Sequence, residues 1–116
     1  MITKKIIKVP IFDFKLRVVV FDDTKEAIEW CPEWFKEGYS ALTLEHIDCS
    51  KATIIIPSKY YGSTVHELEH VKNLIFKAKG IKPDINNDEV DAYLIGWLYE
   101  QVDKIVKRHN NLASYC

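Results

Sequence analysis

Two histidines four residues apart, His66 and His70, with Glu67 directly after the first, stand in the segment Ser63-Thr64-Val65-His66-Glu67-Leu68-Glu69-His70. On a helix, residues four apart project from one side on successive turns, so both imidazoles can be offered to a single metal ion. Glu67, turned about 100° from His66, lies close enough to touch a water on that ion. Two imidazole ligands, a carboxylate base and a coordination position left to water are the equipment for zinc-dependent hydrolysis of a peptide bond. A third protein ligand has to come from elsewhere. The candidate is Glu89, which follows Asn86-Asn87-Asp88 and opens the next long helical pattern.

Each of these residues also has a plainer reading. His66, His70, Asn73 and Lys77 fall within a narrow helical arc opposite Val65, Leu68, Val71 and Ile75, as the solvated side of an amphipathic helix would. Thr64 to Glu67 fits a capping box, and Asn86 to Glu89 fits one less well, so either glutamate could serve helix N–H groups. Capping gives no reason for two histidines around the first glutamate. In the last helical pattern Glu89, Tyr93, Gly96 and Glu100 share a face, with Gly96 removing bulk where another helix would cross. If that face meets the His66 face, Glu89 reaches the metal and Tyr93 can hydrogen-bond the reacting oxygen, while Asp88 and Asp91 can orient a histidine N–H. The alternative for Tyr93 is a partly buried aromatic. His46 and His109 read as surface residues.

The elements that must position these groups follow from the chain's periodicities. Residues 2–9 alternate Ile and Val with Lys as a strand does, and Pro10 marks an edge or an end. Residues 15–21 form a second strand whose Val18-Val19-Val20 run predicts burial on both faces. Asp22, Asp23 and Thr24 offer caps for a helix over 25–36, which Pro32 kinks or splits. Residues 39–47 and 52–56 read as strands, the motif helix runs from Ser63 or Thr64 to about Ala78 before Gly80, and the last helix covers about 88–108. Residues 110–116 read as a frayed tail. The order β-β-α-β-β-α-α predicts one α+β domain over residues 1–116, a mostly antiparallel sheet with helices on one side.

Composition narrows the class. The chain of 116 residues is 47% hydrophobic and 28% charged, enough to bury a core without staples. A formal net charge of −1 argues against a general nucleic-acid binder. Cys31, Cys49 and Cys116 are odd in number and far apart, as free thiols in a reducing compartment are. Lys8 and Pro10 interrupt any signal-peptide run, and no apolar stretch approaches the ~20 residues that span a bilayer. The expectation is a cytoplasmic protein without a membrane partner.

The segment HELEH, with the glutamate of NDEVDAYLIGW 19 positions after its second histidine, resembles zincin metallopeptidases whose third ligand is a glutamate, the gluzincin arrangement. Residues 53–98 are similar to small phage and prophage zinc peptidases, which are similar in layout to the ImmA/IrrE peptidases that cleave repressors. The resemblance implies a zincin-like fold, zinc held by His66, His70 and Glu89, Glu67 as general base, and a protein or peptide substrate. Larger gluzincins often carry an acidic residue four after the glutamate ligand; here that position is Tyr93. No substrate domain is identifiable, so a second function class stands beside hydrolysis: a zincin-like scaffold that binds a protein partner without cutting it. An extended peptide could lie along a strand edge contributed by residues 39–47 or 53–56.

Overall fold

The computed structural model describes residues 1–59, 61–82 and 89–113, with the side chains of Tyr61 and Glu89 outside that description. The chain is α+β, with elements in the order β1 (Ile2–Val9), β2 (Phe14–Phe21), α1 (Thr24–Trp30), β3 (Leu42–Glu45), β4 (Lys51–Pro57), α2 (Tyr61–Lys79) and α3 (Glu89–Ala113). The strands form one sheet in the order β1-β2-β4-β3. The outer pairs are antiparallel and the central pair, β2 with β4, is parallel, with Val18 opposite Ile54.

The central pair follows from composition. Val18, Val19, Val20, Ile54, Ile55 and Ile56 are all fully buried, as apolar runs without alternation require. Each such side chain contributes about 1.5–3 kcal/mol when taken from water. Two cores result. On one face Leu16, Val18, Ile54 and Ile56 pack against Leu68, Val71 and Ile75 of α2 and Leu98, Val102 and Val106 of α3. On the other, Val19, Phe21 and Ile55 meet Ala27 of α1 and Phe35. Helices therefore cover both faces, not one, because the two central strands present apolar side chains in both directions.

Local chemistry sets the helix ends. Asp23 caps α1 in a capping box with Glu26. The helix stops at Trp30 because a residue before proline is driven out of the helical region, and Cys31 adopts φ −140° and ψ 63° ahead of Pro32. Gly80, at φ 67°, ends α2: its N–H reaches Lys77 O and that of Ile81 reaches Phe76 O, the Schellman pattern. At the other end α2 starts at Tyr61, so Thr64 lies buried inside the helix rather than at its cap. α3 runs on to Ala113, absorbing residues expected to fray, while residues 114–116, Cys116 included, lie outside the description.

Candidate metal centre

The imidazoles of His66 and His70 meet on the exposed surface of α2, with Nε2 of one 3.1 Å from Nε2 of the other and the rings edge to face at 4.8 Å. A tetrahedral zinc ~2.05 Å from two imidazole nitrogens holds them ~3.3 Å apart. The pair is thus spaced as one metal ion would space it.

Glu67 completes the group: one donor atom from each of His66, Glu67 and His70 lies within 4.8 Å of the other two. Glu67 is 6% exposed, and the Thr43 hydroxyl donates to its Oε2 at 2.9 Å. Thr43 stands on the face of β3 turned toward α2, opposite Ile54 in the register, and so does Glu45, which meets Lys77 at 3.3 Å. Since α2 begins at Tyr61, Glu67 is past the positions where a glutamate serves a capping box. Its carboxylate is instead held between helix and strand.

Two hollows flank this carboxylate along the β3–α2 seam. One, of about 500 Å³, is lined by Tyr39 to Leu42, Gly62, Ser63, His66 and Glu67. The other, of about 360 Å³, takes in Thr43, Glu45, Glu67, His70 and Asn73. Among the described residues β3 is an edge strand, and its outer backbone groups pair with no other strand of the sheet. β4 has a neighbour on each side, which removes residues 53–56 as a docking edge.

The α3 residues fall differently. Asp91 reaches across to α2 and pairs with Lys72 at 2.8 Å; Lys72 also donates to Glu69 at 2.6 Å. Burial acts to lower the Lys72 ammonium, but hydrogen bonds and charge from Asp91 and Glu69 outweigh it and hold the pKa above its ordinary value. Asp91 is therefore occupied by a lysine rather than orienting a histidine. Tyr93 is 76% exposed and lies in an apolar hollow with Phe12 and Trp97, sharing no groove with the imidazole pair. Gly96 is exposed, and among the described residues nothing beyond its own helix lies within 4 Å of where a Cβ would stand, so none of the described helices crosses there. The face of Tyr93, Gly96 and Glu100 is turned to solvent, opposite the stripe of Leu94, Leu98 and Val102 that α3 buries. Glu89 opens α3 at the first helical position; its side chain, and Asp88 altogether, lie outside the described residues.

The other histidines are not surface residues. His46 is half-buried, its Nε2 2.7 Å from Thr53 Oγ1. His109 is 0% exposed: Nε2 donates to Asp22 Oδ1 at 2.7 Å and Nδ1 shares a hydrogen bond with the Thr3 hydroxyl at 2.6 Å. Ser58 donates to the same Asp22 oxygen at 3.0 Å, and Asn110 donates to Ser58 O at 3.1 Å. Burial acts to raise the Asp22 carboxyl, but the bonds from His109 and Ser58 and the positive charges nearby outweigh it and hold the pKa below its ordinary 3.8.

Thr43 is the residue that spacing alone does not single out, since nothing local marks one threonine of a strand as the partner of Glu67. Among the described residues, no helix is long and apolar enough to cross a membrane. No protein-family model, curated protein or solved structure matches the chain.

Proposed function

We propose that the chain is a zinc-dependent peptidase, of the kind that the resemblance to small phage-type zincins implies. The observation that carries this reading is the 3.1 Å approach of two imidazole nitrogens beside a buried carboxylate, under an unpaired strand edge. His66 and His70 would hold the ion. Glu89, at the first position of α3, is the third protein ligand that the resemblance implies. When bound, zinc supplies Lewis-acid chemistry, polarising a carbonyl and bringing the pKa of water toward neutrality.

This chain's own groups supply the rest. Main-chain hydrogen bonds to β3 would align an extended substrate along the seam, as strand addition does elsewhere. Glu67 accepts a proton from the attacking water and delivers it to the leaving amine. Thr43, bonded to Oε2, fixes the carboxylate's orientation and leaves Oε1 for that transfer. We also infer a reducing, cytoplasmic setting, supported by the free thiols of Cys31 and Cys49.

A second reading, a scaffold that binds a protein partner without cutting it, draws support from the solvent-facing side of α3 and from the outlying position of Tyr93. Glu67→Gln separates the two. With zinc-loaded protein and a degenerate peptide library read by mass spectrometry, wild type should cleave. The variant should keep its zinc and lose on the order of 100-fold or more in rate, the contribution expected of a general base. Unchanged turnover removes Glu67 from the mechanism, and no cleavage by zinc-loaded wild type favours the binding scaffold.

A further inference from the structure

The edge of the sheet away from the histidine pair is β1, which has no outer neighbour among the described residues. Between it and α3 runs a groove of about 490 Å³, with Ile7, Trp97 and Ile105 along its floor. Four cations line it, Lys5 and Lys8 from β1 and Lys104 and Arg108 from α3, and all four are exposed. Among the described residues none of the four is in an ion pair, and no carboxylate lines the groove. Four lysines elsewhere are ion-paired, Lys51 with Asp48, Lys72 with Glu69 and Asp91, Lys77 with Glu45 and Lys107 with Asp103; what sets the groove apart is four cations around one hollow with no carboxylate in its lining. In a chain of net charge −1 this is a local excess of one sign.

Lysines on an edge strand have an ordinary use, to discourage edge-to-edge aggregation. That accounts for Lys5 and Lys8. It does not account for Lys104 and Arg108, which face the strand from a helix across the groove, or for what adjoins them. Trp97 is shared with a second hollow of about 290 Å³, where it meets Phe12, Tyr93 and Ile11. Ile11 is 96% exposed and holds φ 73°, a left-handed conformation that costs a β-branched residue energy.

We propose that this edge binds an acidic, extended peptide as a fifth strand, its carboxylates set between the β1 and α3 cations and a large apolar side chain seated against Trp97, Tyr93 and Phe12. The spacing favours a strand. Lys104 and Arg108, one helical turn apart, are separated by ~6 Å along α3. Same-face residues of a strand repeat every ~6.6 Å, so acidic residues at alternate positions would meet the two in turn. A free strand edge offers alternating N–H and C=O groups, which complement another peptide backbone and neither a polynucleotide nor a lipid headgroup. The site uses neither the histidines nor their metal, so it stands apart from the peptidase reading.

The test is fluorescence anisotropy with a labelled octapeptide, an amino-terminal phenylalanine followed by alternating glutamate and valine, against the same peptide with lysine for glutamate. The acidic peptide should bind at least tenfold tighter, weaken as salt rises, and lose at least tenfold in affinity to K104E/R108E, whose exposed positions leave the circular dichroism spectrum intact. Of two versions N-methylated on alternate amides, one should bind at least tenfold more weakly than the parent. Equal affinity for the acidic and basic peptides, or for both N-methylated forms and the parent, overturns strand addition. Tighter binding to oligo-dT or to phosphatidylserine vesicles than to the acidic peptide overturns the choice of a peptide.

Discussion

His66 and His70 on one side of the molecule and His109 on another show the same side chain in opposite circumstances. The pair is exposed, and each Nε2 finds the other's Nε2 at 3.1 Å. His109 is fully buried, with both ring nitrogens committed, one to Asp22 and one to Thr3. Ring nitrogens already spent on protein partners tie elements together. Nitrogens directed at each other across a helix turn are available to a cation. The difference lies in where the nitrogens point, and it predicts which substitutions cost stability and which cost chemistry.

The largest effect on folding should come from the buried ring. His109→Ala leaves a cavity and removes two hydrogen bonds, one of them to a carboxylate, for a loss of about 3 kcal/mol. His66→Ala, at an exposed position, should stay within about 0.5 kcal/mol of wild type. Urea unfolding of both variants measures this, and similar losses in the two would break the contrast. Next in size is the response to metal. Zinc held only by the folded protein, at 100 times its dissociation constant, stabilises wild type by about 2.7 kcal/mol. His66→Ala should gain nothing from the same addition. A wild type indifferent to zinc would leave the pair as an imidazole–imidazole contact.

A smaller effect sharpens the His109 side. Because the Asp22 carboxyl is held below its ordinary 3.8 in the folded chain, its contribution is fully present above that value and is lost as pH falls through the lowered pKa. Asp22→Asn cannot titrate there. Acid unfolding followed from pH 5 downward should be steeper for wild type than for Asp22→Asn; parallel curves would show that Asp22 carries none of the acid sensitivity.

What the sequence discloses divides along the same line. The histidine pair is legible because its period is local: four residues on one helix bring the rings together whatever the rest of the chain does. His109 is not legible, since its partners Thr3 and Asp22 lie 106 and 87 residues away and meet it only through the packing of α3 on the sheet. The doubly buried run of β2 was readable from missing alternation, and with the matching run of β4 it carries the reason that α1 lies on the other face. Gly96 misled because a small residue on a helix predicts a close crossing only if another helix arrives, and α3 turns that face to water. Thr43 was readable as a strand residue and not as the partner of Glu67, because that contact joins two elements 24 residues apart.

The smallest expected effect concerns Tyr93, whose spacing from Glu89 made it the candidate for the reacting oxygen. Its ring sits with Phe12 and Trp97 beside the β1–β2 turn, whereas the imidazole pair and Glu67 share their hollows with residues of β3 and the segment before it. A hydroxyl at a 76% exposed position there has water for a partner, so removing it should change neither zinc content nor cleavage rate by more than about twofold. Tyr93→Phe keeps the ring and deletes only the oxygen, which makes the comparison with Glu67→Gln direct: the same assay, one atom on each element, opposite outcomes. A tenfold slower Tyr93→Phe with unchanged zinc and unchanged unfolding would mean that α3 swings this face to the metal during turnover, and the division between a histidine side that reacts and an α3 side that only packs would fail.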